Sequence, residues 1–131
     1  DQALLKRDVE PSERERVIDE LTDIGLLDDK RFAKAWVVTR DRLSPRGEFL
    51  LRRELTQKGI AEQLIIEALA MRGEETEQAP KELDEAHARD LAERKRRQYS
   101  HLPKEAQQRR LAGYLERRGF SPEIVRRILF S

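Results

Sequence analysis

The chain has 131 residues, 40% of them charged and 5% aromatic, with a mean hydropathy of −0.83 and a net charge of +1. Such a composition leaves a thin core under a charged surface and suits an elongated helical protein better than a compact globule. No stretch approaches the ~20 apolar residues of a membrane span, no signal-peptide pattern opens the chain, and the absence of cysteine excludes disulfides and thiolate metal sites, so the expectation is a cytoplasmic protein with no membrane partner.

Taken in order, Ala3 to Val9 read as the end of a helix. Pro11 and Ser12 then open a short helix with Val17, Ile18 and Leu21 on its apolar side, closed by Gly25, with Leu26 placed for the hydrophobic contact of a Schellman cap. A helix is expected near 29–43, capped by Asp28 or Asp29, whose carboxylates suit the orphan amides and the positive end of the dipole. Phe32, Ala33, Trp36, Val37, Arg40 and Leu43 form its one-sided stripe. Ser44, Pro45 and Gly47 break it. A second helix near 47–58 carries Leu50, Leu51 and Leu55 and ends at Lys58 and Gly59; a third near 61–71 buries Leu64, Ile65, Ala68 and Leu69.

Residues 74–80 are acidic, lack apolar periodicity and read as a connector. A long helix from Lys81 to Tyr99 offers Leu83, Ala86, Ala88, Leu91 and Ala92 for packing, and His101, Leu102 and Pro103 end it. A helix near 104–118 carries Leu111 and Leu115 and stops at Arg118 and Gly119. Ser121, Pro122 and Glu123 then make a strong helix start: an N-cap hydroxyl, a proline whose missing amide costs nothing, and a first-turn carboxylate. The last helix buries Ile124, Val125, Ile128 and Leu129.

Shifting the chain on itself by 60 residues superposes Leu51, Leu55, Gly59, Ile60, Leu64, Ile65 and Leu69 on Leu111, Leu115, Gly119, Phe120, Ile124, Val125 and Leu129. A weaker match at 51 residues relates the start of the chain to the same pattern, with Asp8 where the other units have glycine. The fold expected is all-α: tandem three-helix, helix-turn-helix-like repeats stacked into an elongated, curved molecule. The first repeat, 1–27, is partial; the second spans 28–73, an acidic connector 74–80, and the third 81–131. A three-helix unit is small for its apolar faces, so packing between units is expected to contribute to stability.

Charge is segregated along this frame. Residues 1–29 hold 4 basic and 10 acidic side chains (net −6), 30–73 hold 10 and 5 (net +5), 74–88 hold 1 and 6 (net −5), and 89–131 hold 12 and 5 (net +7). Solvated helix faces have no need of such segregation. Signs of catalysis are lacking. His87 and His101 have no carboxylate at ligand-like spacing and read as solvent-exposed, the glycines stand singly as helix stops, and the five serines have no base in pattern. No enzyme, metal or cofactor is implied.

The cations carry the functional reading. Arg40, Arg42, Arg46, Arg52, Arg53 and Lys58 gather in the central unit. Arg94, Lys95, Arg96, Arg97, Arg109, Arg110, Arg117 and Arg118 occupy corresponding places in the last, with Arg126 and Arg127 beyond. Some pair on helix surfaces, as Arg53 would with Glu54 or Glu48. Stacking of the units is expected to join the rest into one strip, and the preference for arginine suits forked recognition of phosphate or carboxylate. Trp36, on the apolar stripe, is expected in the core. Tyr99, at a helix end beside the Arg94–Arg97 run, is the candidate for stacking contact with nucleic acid or a partner.

The run Gly25-Leu26-Leu27-Asp28-Asp29-Lys30-Arg31-Phe32-Ala33, then Gly47, Leu51-Arg52-Arg53-Glu54-Leu55 and Gln57-Lys58-Gly59-Ile60, resembles the core pattern of the RecX family, regulators of the bacterial RecA recombinase. The sequence departs from that pattern at the turn, where Glu48 stands in place of a proline and one residue is added. The resemblance implies binding in the groove of the RecA filament on single-stranded DNA, modulation and usually inhibition of its ATPase and strand exchange, and a place in DNA repair and the SOS response. Weak direct DNA binding and a monomeric state are also expected. The alternative is a stand-alone nucleic-acid-binding protein of helix-turn-helix type, with Arg52 and Arg53 on its recognition helix.

Overall fold

The computed structural model describes residues 28–130. Among them every regular element is a helix: α1 at 28–43, α2 at Glu48–Gln57, α3 at Glu62–Ala70, α4 at Pro80–Arg96, α5 at Lys104–Arg117 and α6 at Pro122–Phe130. The expected helix of Val17, Ile18 and Leu21 and the cap at Gly25 and Leu26 lie outside the described residues. Asp28 and Asp29 are already helical rather than caps ahead of α1. The acidic segment forms a single 3-10 turn at Glu74–Thr76, and α4 passes into another at Arg97–Tyr99.

Both α2 and α5 end in the same way. Gly59 at φ +82° and Gly119 at φ +93° take left-handed backbone, which glycine adopts without the steric cost a Cβ brings. The Gly59 amide donates to the Thr56 carbonyl at 3.0 Å and the Ile60 amide to Leu55 at 3.1 Å. The amides of Gly119 and Phe120 repeat this on Glu116 and Leu115, at 3.0 and 3.1 Å. These are paired Schellman motifs, with Ile60 and Phe120 folded back into the cores below. α6 opens on Ser121, whose Oγ accepts from the Ile124 amide at 3.2 Å.

Two apolar cores result. α1 to α3 enclose Ala33, Val37, Leu51, Leu55, Ile60, Ile65, Ala68 and Leu69. α4 to α6 enclose Ala88, Leu91, Ala92, Leu111, Leu115, Phe120, Ile124, Val125 and Leu129. The two clusters are separate. The expected contact between units is present, and it is made by backbone hydrogen bonds and charged side chains. The stripe of α1 is also narrower than its periodicity suggests. Ala33 and Val37 are buried, while Phe32 is 40% exposed and Leu43 72%.

The junction is built on the start of α2. The first amides of a helix have no intrahelical acceptor, and here the unit formed by α4 to α6 supplies three. Gly47 donates to the Arg118 carbonyl at 2.8 Å and Phe49 to the Gly119 carbonyl at 3.1 Å. The Glu48 amide donates to Asp84 Oδ2 of α4 at 3.0 Å. Arg118 Nη2 reaches back to the Pro45 carbonyl at 2.7 Å. The negative end of α5 thus meets the positive end of α2, a favourable alignment of helix dipoles.

Such an approach excludes side chains. A Cβ on Gly47 would lie 2.3 Å from the Gly119 carbonyl oxygen, and one on Gly119 would lie 2.4 Å from the Leu50 amide nitrogen. A Cβ on Gly59 would have nothing within 4 Å. Gly47→Ala should therefore lower unfolding free energy by about 1–3 kcal/mol from overpacking against backbone, and broaden or split the transition as the units uncouple. Gly59→Ala should cost only about 1–2 kcal/mol from its left-handed backbone, with one transition. Urea denaturation followed by circular dichroism checks this; a Gly47→Ala variant with wild-type midpoint and sharpness would contradict the packing.

Candidate functional site

The expected basic residues divide into those that build the fold and those that face outward. Arg46 is buried and turned inward. Its guanidinium pairs with Glu54, donates from Nη2 to Ser44 Oγ at 2.7 Å and from Nε to the Ser44 carbonyl at 3.1 Å. Burial lowers its pKa, with Glu54 opposing. Glu54 also accepts from Trp36 Nε1 at 3.0 Å and lies 3.9 Å from Arg40 Nε. Arg53, expected to pair with Glu54 or Glu48, pairs with neither, since Glu54 faces α1 and Glu48 takes Arg52 at 3.4 Å.

Trp36 is half-buried against the core rather than inside it. Two cations lie against its ring, the Arg40 guanidinium at 4.5 Å and the Lys58 ammonium at 5.1 Å, and it packs on Phe32 at 5.8 Å. A long amphipathic side chain with one indole N–H is well placed at such a margin, its polar edge bonded and its face covered.

In the other unit, Arg94 pairs with Asp90 at 2.9 Å and Arg96 with Glu93 at 3.6 Å, both exposed pairs of small energetic weight. The Lys95 ammonium lies 5.0 Å from the Tyr114 ring and 5.9 Å from Tyr99, and the Arg110 guanidinium 5.8 Å from Tyr99. Tyr99 is half-buried against the apolar core and flanked by cations. Arg42, Arg53, Arg97, Arg109 and Arg117 are exposed, and among the described residues their guanidinium groups make no ion pair, hydrogen bond or ring contact. Arg53 of α2 and Arg117 of α5 line one concavity at the junction, so cations of the two units meet there.

The sequence reading missed a buried charge cluster beside this face. Arg72, 4% exposed, lies just beyond α3 and donates from Nε and Nη2 to the two carboxylate oxygens of Asp41 at 3.1 and 2.9 Å. The same Nη2 lies 2.6 Å from Asp84 Oδ1. Burial opposes the Arg72 charge, but its bonds to Asp41 and Asp84 outweigh this and raise its pKa. Burial pushes the Asp84 carboxyl up, against Arg72 and the Glu48 amide, which favour the carboxylate. Removing one partner of such a buried set costs about 3–5 kcal/mol, because the charges left behind are uncompensated. The cluster ties α1, α3 and α4 together, and Asp84 carries it on to the start of α2. No local pattern signalled it, because Asp41, Arg72 and Asp84 come from separate elements and each sits off the apolar stripe of its own.

His87 belongs to this cluster, so its expected exposure is corrected. It is half-buried, with Nδ1 3.8 Å from Asp41 Oδ1. Burial lowers its pKa; Asp41, Asp84 and Asp90 oppose, and Arg72 reinforces the lowering. His101 is exposed. Among the described residues no group of histidine and carboxylate side chains could hold a metal ion, and no helix is long and apolar enough to cross a membrane.

Comparison with known proteins follows the two units. Residues 28–69 match the family model described as RecX, second three-helix domain, and residues 83–129 match RecX, third three-helix domain. The chain is similar to Regulatory protein RecX of Streptomyces coelicolor, 35% identical over 98% of this chain and 64% of that one. It is also similar to Regulatory protein RecX of Mycolicibacterium smegmatis, 35% identical over 93% of this chain and 63% of that one. The crystal structure of RecX from Lactobacillus salivarius superposes with a TM-score of 0.73 at 26% identity, covering 92% of this chain and 74% of that one. The chain thus spans a little under two thirds of the length of the Streptomyces and Mycolicibacterium relatives.

A lowered His87 pKa means that the unfolded chain binds the proton more readily than the folded one. Stability should fall as pH drops through about 6.5, the ordinary histidine value. His87→Asn should remove that component of the slope between about pH 7 and 5.5. Thermal unfolding across this range checks it, and a variant with the unaltered slope would contradict the placement of His87.

Proposed function

The chain belongs to the RecX family, and from that premise we propose that it binds the RecA filament on single-stranded DNA and slows its ATPase and strand exchange, in DNA repair and the SOS response. It acts in the cytoplasm as a monomer, by binding and not by catalysis. The observation that carries this reading is the meeting of free cations from two units across one hydrogen-bonded junction, at Arg53 and Arg117. A filament offers repeated phosphates and acidic patches along its length. A rigid pair of units with guanidinium groups on both can engage several of them at once, so that weak contacts combine.

The helix-turn-helix alternative fits the geometry less well. A recognition helix presents its N-terminal residues to base edges in the major groove. Here the start of α2 is covered by the Arg118 and Gly119 carbonyls and by Asp84, so Arg52 and Arg53 cannot enter a groove tip first.

The test is the ATPase rate of the cognate recombinase on single-stranded DNA, titrated with this protein at two salt concentrations. The rate should fall with protein concentration, and less at the higher salt. Reversing Arg97 and Arg109 to glutamate should raise the concentration for half effect severalfold. Reversing Arg94 and Arg96, already paired to Asp90 and Glu93, should raise it less. A rate unaffected by the folded protein would overturn the reading.

A further inference from the structure

Beside the junction, Phe49 stands 54% exposed on the first turn of α2. Arg53, one turn along, and Arg117 of α5 line with it a concavity of about 450 Å³, together with Leu50, Gly113 and Gly119. Among the described residues neither guanidinium has an intramolecular partner. The Glu116 carboxylate also lines it, leaving two cations against one anion.

Gly113 supplies a second observation. A glycine inside a helix weakens it, and this one takes no left-handed backbone that would require it. The one close neighbour of a Cβ placed there is the Arg117 guanidinium, with Nη1 at 3.1 Å. The missing side chain lets Arg117 lie back along α5 toward the concavity.

We propose that this concavity binds one nucleotide unit of a single-stranded nucleic acid, the base stacked on the Phe49 ring and the flanking phosphates held by Arg53 and Arg117. An exposed hydrocarbon ring sharing one concavity with two guanidinium forks matches that ligand part for part: the ring offers a sequence-tolerant stacking face, and the forks match phosphate oxygens. An acidic protein surface would use the arginines and leave the ring without a role. The inference rests on the filament reading in taking single-stranded DNA as the natural ligand, and it assigns the contact to the seam between two units. Because both units build the site, it exists only while the junction is closed.

The test uses the full chain without recombinase and a fluorescently labelled oligothymidylate, with anisotropy read at several salt concentrations. Phe49→Ala should weaken binding about tenfold, and Phe49→Trp should restore it. Arg53→Gln and Arg117→Gln should each flatten the slope of log affinity against log salt by about 0.7, one phosphate contact on a single strand. No binding by the wild type, or equal binding by Phe49→Ala, would overturn the proposal. Loss of ATPase inhibition in Phe49→Ala with oligonucleotide binding intact would overturn it too, and assign the ring to the recombinase. If the ring variants behave as expected while the wild type leaves the ATPase unchanged, the site stands and the filament reading fails.

Discussion

Three amide groups at the start of α2 hold the described part of this molecule together. Gly47, Glu48 and Phe49 would be orphan donors in an isolated three-helix unit, and the neighbouring unit provides an acceptor for each: the Arg118 carbonyl, Asp84 Oδ2 and the Gly119 carbonyl. Unmet buried donors cost far more than a met one contributes, so separating the units exposes a penalty at several groups together. That constraint explains the glycines on both sides of the contact, the left-handed turn that aims the Gly119 carbonyl, and the burial of Asp84. Asp84 in turn fixes Arg72, and Arg72 fixes Asp41 of α1. Two separate apolar cores are thereby joined through a seam of hydrogen bonds and ion pairs.

Such a seam also sorts the arginines. Those nearest it are consumed by structure: Arg46 on Glu54 and Ser44, Arg72 on two aspartates, Arg118 on the Pro45 carbonyl. Arginine suits these places because its planar fork makes several bonds at once and stays charged when buried. Among the described residues, what remains free lies outside, on α1, α2 and α5 and on the turn after α4. The hydrogen bonds of the seam set the spacing of the two groups of free cations in this structure, which a pair of loosely tethered units could not do. For a partner with periodic charge, fixed spacing matters as much as the number of cations.

Much of the fold was legible in the sequence because its signals are local. Helix periodicity, Ser121 before Pro122, and the paired glycines 59 and 119 each act within one or two turns, and the shift of 60 residues made the two units visible as copies. The seam was not legible. It joins Gly47 to Arg118 and Arg72 to Asp41 across distances in sequence that no periodicity marks, and it breaks the repeat, since Gly59 carries no such contact among the described residues while Gly119 does. The cations were found as a class, but their fates were not: nothing local separates Arg46, buried, from Arg53, free. His87 was misplaced for the same reason, because the carboxylate beside it comes from another helix.

Native-state hydrogen exchange at Gly47 and Phe49 tests the central claim most directly. If the seam joins the units into one body, these two amides, at the end of a loop and the first turn of a helix, exchange only by opening the junction. Their protection should then match that of core amides such as Leu55 and Leu115. Exchange at the rate of a frayed helix start would contradict the account: the units would be tethered and not joined, and the fixed spacing of their free arginines would be lost.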